Sequence, residues 1–218
     1  MLMFLFLAGD LALVFLLAMQ TNKQLHLPRW KIAVYSLAVV PVGFLCSKIM
    51  RLIEAGTWVG ASYYGAVLFE PIILVLFGLL IHIKPAEMFD LGAPSACISL
   101  VFLKIQCIVT GCCIGRILGY ESHGRPIRFP SPYVEIICGL ILLGILMKMI
   151  SSGKYKGYMY FWFLLLYGVS RFFLNLLRDT QPFLLGMSAG CFWSVISVCI
   201  GGAVLLLRHK RMSESFSG

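Results

Sequence analysis

The chain has 218 residues, of which 60% are hydrophobic and only 12% are charged, and its formal net charge is +9. Soluble globular domains carry about 25% charged residues, so this composition excludes an ordinary soluble domain and indicates an integral membrane protein. The basic residues follow no stripe and no aromatic-interleaved pattern, so the positive charge favours anionic lipid head groups over nucleic acid.

Apolar runs predict seven membrane-spanning helices, since a span needs roughly 18 or more apolar residues. The predicted spans are Leu2–Met19, Ile32–Ile49, Ala61–Ile83, a fourth that begins after Asp90, Tyr133–Ile150, Tyr158–Phe173 and Leu185–Leu207. We therefore expect a single all-α transmembrane domain over residues 1–218, with an outer-side polar loop at 110–132. The N-terminal run lacks a basic leader and an A-x-A cleavage site, so it is expected to be a retained span rather than a signal peptide.

The placement of lysine and arginine predicts the orientation, because these residues concentrate in short cytoplasmic segments. With seven spans, one face receives ten of them, in short turns and the C-terminal tail, and the other face receives eight. This predicts a cytoplasmic C-terminus and an N-terminus outside. Most of the basic residues on the outer face are arginines or lie deep in a span. They are Lys48, Arg51, Lys104, Arg116, Arg125, Arg128, Arg171 and Arg178. Arginine suits bidentate phosphate binding, so this set indicates a site for an anionic substrate.

Charged residues inside the spans mark the best candidates for that site. Arg171, Asn175 and Arg178 have i, i+4 and i+7 spacing, which predicts that they share one face of the sixth span. For Arg178, the alternative to a functional role is a side chain at the helix end that extends its charge to the membrane interface. Lys104 lies well inside an apolar run, where a lone ammonium costs about 2.5–3.5 kcal/mol on insertion scales, and this favours a functional role.

Two acidic residues, Asp10 and Glu70, also lie inside predicted spans. We expect them to pair with lysine or arginine of neighbouring spans and so hold the bundle together; a proton relay is the alternative. His123 lies close to Glu121 and Arg125 in the polar loop. Most loop histidines are merely solvated, but an enzyme needs a base near neutral pH, and histidine is the commonest choice.

The eight cysteines lie mostly in apolar runs, where free cysteine acts as a small hydrophobe. Cys112 and Cys113 could be a nucleophile pair, a fragment of a metal site, or small residues that allow tight packing beside Gly111. Packing is favoured, since no base and no further ligand lie next to them in the sequence. No CxxC pair with a matching histidine or cysteine pair is present, so no zinc site and no other metal site is predicted.

The segment from Asp90 to Leu207 resembles the prolipoprotein diacylglyceryl transferase family. The matching pieces, in chain order, are DLGAP, GCCIGR, RFPSPYVE, GYMYFWFLLLYGVSRFFLNLLRD and LGMSAGCFWSVISV. The family pattern has Asp-x-x-Ala-Pro, a Gly-Arg-x-Gly-Asn-Phe-x-Asn-Gly-Glu signature, Arg-His-Pro-Ser-Gln-x-Tyr-Glu and Tyr-Gly-x-x-Arg-x-x-x-Glu-x-x-Arg. The resemblance implies seven spans with the N-terminus outside, in a bacterial plasma membrane.

Residue by residue, the resemblance is partial. The last two blocks are matched by Arg128, Pro130, Ser131, Tyr133, Glu135, Tyr167, Gly168, Arg171 and Arg178. Departures from those blocks are Phe129, Pro132 and Asn175. Where the signature has its arginine, two asparagines and glutamate, this chain has Lys104, Cys107, Thr110 and Cys112. Upstream, SYYGAVL resembles the family's Phe-His-Gly-Gly-Leu, with Tyr64 in place of the catalytic-type histidine, and the outer insert is reduced to about a dozen residues.

The resemblance implies a reaction in which a cysteine thiol of a lipoprotein precursor displaces glycerol phosphate from phosphatidylglycerol, without a cofactor. It implies that Arg128 and Arg171 hold the phosphate, with Lys104 and Arg178 flanking them. The residues implied to orient the head group and the arginines are Ser131, Tyr133, Glu135 and Tyr167. Two residues are candidate bases, His123 by its chemistry and Tyr64 by its alignment.

The expected partners are phosphatidylglycerol or another anionic phospholipid, a lipoprotein precursor or another acceptor, and the membrane. The changed signature leaves open a related phospholipid-dependent transferase with a different acceptor. A non-enzymatic lipid-binding or transport protein is a further alternative. Transporters often contain internal repeats, and the sequence shows no convincing repeat, so this last alternative is the least favoured.

Overall fold

The structure is a computed structural model that describes residues 2–113, 115–121, 123–178, 180 and 182–217, with side chains described between residues 5 and 210 of those ranges. The elements are α1 (Leu2–Leu25), α2 (Arg29–Ala55), α3 (Tyr63–Leu68), α4 (Glu70–Leu80), α5 (Pro85–Thr110), β1 (Ile117–Tyr120), β2 (Pro126–Arg128), α6 (Ser131–Ser152), α7 (Met159–Leu176), β3 (Pro182–Leu184), β4 (Met187–Ser188) and α8 (Ala189–Ser217). Within the described residues, six helices are long and apolar enough to cross a membrane: α1, α2, α5, α6, α7 and α8. The protein is therefore a multi-pass membrane protein, and the predicted all-α class is confirmed apart from two small β-hairpins.

The ends of the long helices follow local sequence signals. In the last turn of α1, the Asn22 side chain donates to the Leu27 carbonyl at 2.8 Å and accepts from the Leu27 amide at 2.7 Å, which caps the helix just before Pro28. Helices α2 and α5 each end at a glycine with positive φ, Gly56 at 64° and Gly111 at 66°. Glycine adopts this left-handed conformation without a Cβ penalty, so both helices stop where the sequence allows the turn.

The predicted third span is not one continuous helix. It is divided at Phe69 into α3 and α4, and Pro71 lies in the first turn of α4. Proline has no amide hydrogen and its ring clashes with the preceding helical turn, so a helix cannot run through this position undisturbed. Each of the two pieces is shorter than a membrane span.

The polar loop predicted at 110–132 contains a β-hairpin. Strands β1 and β2 pair antiparallel, with Ile117 opposite Arg128 and Tyr120 opposite Pro126. The base of the hairpin is fixed to the end of α7, since Gly115 forms a β-bridge with Arg178 and the Arg116 amide donates to the Leu177 carbonyl at 3.0 Å. A second small hairpin, β3–β4, precedes α8. The β1–β2 segment is thus a folded wall against α7 rather than an irregular loop.

Helix α5 occupies the centre of the bundle and packs against α1, α4, α6 and α7. One apolar cluster lies on its side toward α6 and α7, around Phe163 and Leu146. The other lies toward α1, α2 and α4, around Tyr35 and Leu91. Large apolar side chains are also exposed along the outer helix faces, Leu80 and Leu206 among them, as expected for surfaces that contact lipid.

The pairing expected for Asp10 and Glu70 was wrong. Asp10 accepts hydrogen bonds from the Ser99 hydroxyl at 3.1 and 3.2 Å, so it joins α1 to α5 through a neutral partner. Within the described part of the chain, neither carboxylate forms a salt bridge with lysine or arginine. The residues that do form intramembrane ion pairs lie elsewhere, around Glu135.

Candidate active site between α5, α6 and α7

Glu135 is the centre of the site. It lies one turn after the start of α6, and only 2% of its surface is exposed. The Ser131 hydroxyl donates to its Oε1 at 3.1 Å, and Lys104 Nζ of α5 lies 2.8 Å from its Oε2. A buried carboxylate needs such partners because an unpaired charge in a low-dielectric interior is very costly.

Two arginines complete the cluster. Arg171 of α7 contacts Glu135 through its Nη1, and Arg178 Nη1 lies 3.5 Å from Glu135 Oε1. Arg171 is buried, while Arg178 enters from just beyond the end of α7 at Leu176. Three cations thus surround one carboxylate, which leaves two positive charges in excess at the boundary of the apolar bundle.

An aromatic wall borders the arginines. The rings of Tyr64 on α3 and Tyr167 on α7 lie 5.7 Å apart, and Tyr63 meets Tyr167 edge-on at 5.6 Å. The hydroxyl of Tyr64 is 2.6 Å from Ser194 Oγ of α8, and both Tyr64 and Tyr167 interact electrostatically with Arg171. The position that replaces the family's histidine therefore borders the cation cluster.

Three cysteines lie on the other side of Lys104. Cys113 Sγ is 3.3 Å from Cys107 Sγ and 3.9 Å from Cys112 Sγ, and Lys104 Nζ is 3.8 Å from Cys113 Sγ. The hydrogen bond between Cys107 and Cys113, together with the positive charge of Lys104, lowers the pKa of the Cys113 thiol below its usual range. Lys104 thus connects the carboxylate cluster with a thiol cluster.

The other predicted site residues lie at the rim. Arg128 is exposed on β2 and its Nη1 donates to the Gly115 carbonyl at 3.3 Å. His123 is exposed in the turn of the β1–β2 hairpin, and Tyr133 is 56% exposed on α6. The structure therefore brings six predicted residues together, namely Lys104, Glu135, Ser131, Arg171, Arg178 and Tyr167, with Tyr64 beside them.

Two residues near the site, Ser194 and Cys107, were not among the predicted site residues. Ser194 is buried, and a polar residue within an apolar helical run was the available signal for it. Asn175, which the sequence groups with Arg171 and Arg178, is buried beside Gly190, where an added Cβ would come within 2.6 Å of Asn175 Oδ1. Cys107 gave no such signal, because it meets Cys113 only after the left-handed turn at Gly111 returns the chain.

The chemistry of this arrangement is that of anion binding at a membrane. Arginine and lysine side chains, held in place by a buried carboxylate and bordered by aromatic rings, can bind a phosphate and stabilise charge that develops on it. The exposed hairpin and the apolar outer helix faces allow approach from water and from lipid respectively.

Comparison with known proteins agrees with this chemistry. The family model described as prolipoprotein diacylglyceryl transferase matches residues 4–207. Phosphatidylglycerol–prolipoprotein diacylglyceryl transferase of Dehalococcoides mccartyi is 18% identical over 205 residues, covering 83% of this chain and 78% of its own. Phosphatidylglycerol–prolipoprotein diacylglyceryl transferase 2 of Clostridium perfringens is 26% identical, covering 73% of this chain and 66% of its own. The transferase of Idiomarina loihiensis is 28% identical, covering 70% of this chain and 61% of its own. The chain therefore belongs to the prolipoprotein diacylglyceryl transferase family.

Proposed function

We propose that this protein is a membrane transferase that moves a diacylglyceryl group from phosphatidylglycerol to the cysteine thiol of a prolipoprotein. One observation carries the proposal: Lys104, Arg171 and Arg178 converge on Glu135 in a buried cluster. The excess of positive charge attracts the phosphate of an anionic lipid, and the carboxylate keeps the cations in place while the site is empty. The names of the relatives, which specify phosphatidylglycerol and prolipoprotein, agree with this substrate pair.

The transfer makes one bond and breaks one. The acceptor sulfur, after losing its proton, bonds to the glyceryl carbon, while the bond from that carbon to the phosphate oxygen breaks and its electron pair leaves with glycerol phosphate. Negative charge builds on the departing phosphate ester, and preorganised cations in a low-dielectric site lower the barrier by stabilising it. Arg171 is proposed to make this contact, with Lys104 and Arg178 flanking it and Arg128 guiding the head group from the rim.

The remaining predicted residues have positioning roles in this proposal. Ser131 and Glu135 fix the cations, as their mutual hydrogen bond and the three ion pairs support. Tyr167 forms the wall beside Arg171, and exposed Tyr133 is available to the head group. His123 and Tyr64 remain the two candidate bases for the acceptor thiol.

We also propose that residues 1–218 form one transmembrane domain with seven crossings, in which α3 and α4 together make the crossing that neither makes alone. Contacts between loops that are distant in the sequence support a helix bundle with two chemically different ends. Lys31 Nζ donates to the His82 carbonyl at 2.7 Å and Lys156 Nζ donates to the Gln24 carbonyl at 3.1 Å, which groups the loops rich in lysine at one end. By the positive-inside rule that end is cytoplasmic, so the N-terminus and the site are at the outer leaflet.

The central test is an Arg171→Ala variant in proteoliposomes that contain phosphatidylglycerol and a peptide with a lipobox cysteine. We expect the rate of peptide modification, measured by mass shift, to fall about 100-fold or more, as for loss of one preorganised charge-stabilising donor. Arg116→Ala is the matched control, because the Arg116 side chain is exposed on the hairpin side, and it should keep the parent rate.

Several outcomes of that assay are informative. An Arg171→Ala protein that retains normal folding and the normal rate would contradict the role of the cation cluster. Arg171→Lys, which keeps the charge, is included in case the alanine variant does not fold. Release of glycerol phosphate without peptide modification would indicate a different acceptor.

The two candidate bases are separated by a second pair of variants, His123→Ala and Tyr64→Phe, in the same assay. The variant that lacks the true base is expected to lose transfer rate most strongly near neutral pH. Its rate should recover at alkaline pH, where the free thiol ionises by itself. Full transfer activity in His123→Ala excludes that histidine as the base, and full activity in Tyr64→Phe excludes the tyrosine.

A further inference from the structure

A cluster of three thiols lies beside the cation cluster and has no part in the phosphate chemistry. The ligand atoms of Cys107, Cys112 and Cys113 all lie within 4.8 Å of one another. A metal with four tetrahedral ligands and metal–sulfur bonds of about 2.3 Å places its sulfurs about 3.8 Å apart. The separations from Cys113, 3.3 Å to Cys107 and 3.9 Å to Cys112, lie on either side of that value.

The backbone explains why three sulfurs converge. Cys107 lies in the last turn of α5, and Gly111, with a φ of 66°, reverses the chain after the helix. The Cys112 amide donates to the Cys107 carbonyl at 3.1 Å, which closes this turn and brings the cysteine pair back over the helix end. The arrangement is therefore built into the helix terminus and does not depend on a side chain from another element.

Groups around the sulfurs suit a bound cation. Lys104 Nζ lies 3.8 Å from Cys113 Sγ and Thr110 Oγ1 lies 3.3 Å from Cys112 Sγ, and donors of this kind stabilise metal-bound thiolates. Three thiolates with a divalent ion carry one negative charge, which the neighbouring excess of positive charge offsets. Cys107 is buried, Cys113 is half-buried and Cys112 is exposed, so the cluster is open on one side.

We propose that Cys107, Cys112 and Cys113 bind one zinc ion, and that the acceptor peptide's cysteine thiolate occupies its open fourth position. Zinc sites with three protein ligands and one open position are the catalytic type, and thiolate is a preferred zinc ligand. The second half of this statement rests on the proposed function, whereas the metal site itself does not.

In this arrangement the acceptor thiol loses its proton to water when it binds the metal, which keeps it as a thiolate at neutral pH. The bound sulfur then bonds to the glyceryl carbon as the carbon–oxygen bond to phosphate breaks, and no electron is gained or lost overall. Lys104 contacts both Cys113 and Glu135, so the nucleophile and the phosphate site are neighbours.

The metal site is tested on the full-length protein, reduced and reconstituted in nanodiscs, by metal analysis after zinc loading and by Co²⁺ titration. We expect one zinc per chain and the intense near-ultraviolet sulfur-to-cobalt absorption of a thiolate site. Cys112→Ser should weaken binding at least 10-fold, and Cys199→Ser, also exposed but on α8, should bind like the parent. No binding by the reduced parent protein, or equal binding by both variants, overturns the site.

The acceptor half is tested by adding the lipobox peptide to the Co²⁺ form and recording the same spectrum. A peptide thiol that joins the metal increases the sulfur-to-cobalt absorption, and a peptide with serine at that position leaves it unchanged. An unchanged spectrum with both peptides overturns the acceptor role and leaves the metal site. If the peptide joins the metal but no diacylglyceryl transfer occurs under any condition, the proposed function fails and this site stands.

Discussion

At the scale of single residues, Glu135 decides how the site is built. It is the only carboxylate that the described part of the chain brings into a salt bridge, and it contacts three cations that come from α5, from α7 and from the segment after α7. Removing one partner of a buried ion pair leaves uncompensated charge in a low-dielectric interior, which is more costly than losing the pair as a whole. We therefore expect Glu135 to contribute to stability, beside the positioning role that the proposed function gives it.

This leads to a prediction for Glu135→Gln, which keeps the shape of the side chain but removes its charge. We expect a loss of about 3–5 kcal/mol in the free energy of unfolding, since three cations lose their shared partner. Thermal and denaturant unfolding in detergent would measure it. Glu121→Gln is the control, because Glu121 is exposed, and it should change stability by less than about 0.5 kcal/mol. Equal stability of the two variants would contradict the structural role of Glu135.

At the scale of elements, the site depends on how closely the short helix α3 approaches α2. A Cβ added at Gly65 would overlap the backbone carbonyl of Cys46, and the main chains of two helices cannot both move aside cheaply. This contact sets the position of α3 and so places Tyr64 beside Tyr167. The Tyr64 hydroxyl then joins α3 to α8 through Ser194.

The prediction that follows concerns Gly65→Ala. We expect a loss of at least about 3 kcal/mol in stability, since overpacking typically costs 1–3 kcal/mol and here the obstacle is backbone. Gly144→Ala on α6 is the matched control, because a Cβ at Gly144 meets nothing within 4 Å, and it should be neutral or stabilising by up to about 1 kcal/mol. Unfolding midpoints measured side by side decide this; a Gly65→Ala protein as stable as the parent contradicts the packing.

At the scale of the whole molecule, α6 separates two polar ends. The helix has 22 residues, which at about 1.5 Å per residue spans roughly the 30 Å of a bilayer's hydrocarbon core. The β1–β2 hairpin precedes it and the turn of Lys154 follows it. We therefore expect these two segments on opposite sides of the membrane.

Labelling with a membrane-impermeant thiol reagent tests this arrangement. In a protein with Cys112 and Cys199 replaced by serine, we expect Arg125→Cys to react from the outside of intact cells and Lys154→Cys to react only in inverted vesicles. Both positions are exposed, so accessibility depends on the side of the membrane alone. The reverse pattern contradicts the proposed orientation, and labelling of both from one side contradicts the crossing by α6.

Much of this architecture could be predicted from the sequence because the relevant signals are local. Apolar runs located the six long helices that the described residues form, although the ends differ, as in α2, which ends at Ala55 and not at Ile49. Lys104 and Arg171 could be singled out because a charged side chain in an apolar run costs free energy of insertion and is therefore a functional candidate. Pro71 was equally visible, yet the run around it looked long enough for one span, and the break between α3 and α4 was missed.

Composition and local pattern by themselves determined the membrane class, most of the helices and the charged residues that line the site. Only the tertiary structure decided which residues meet: that Glu135 is the partner of all three cations, that Tyr64 bonds Ser194 at a separation of 130 positions, and that Cys107 joins the cysteine pair. The physical reason is that a buried charge only requires some partner. The packing of α3, α7 and α8 and the turn at Gly111 select which partner comes within reach.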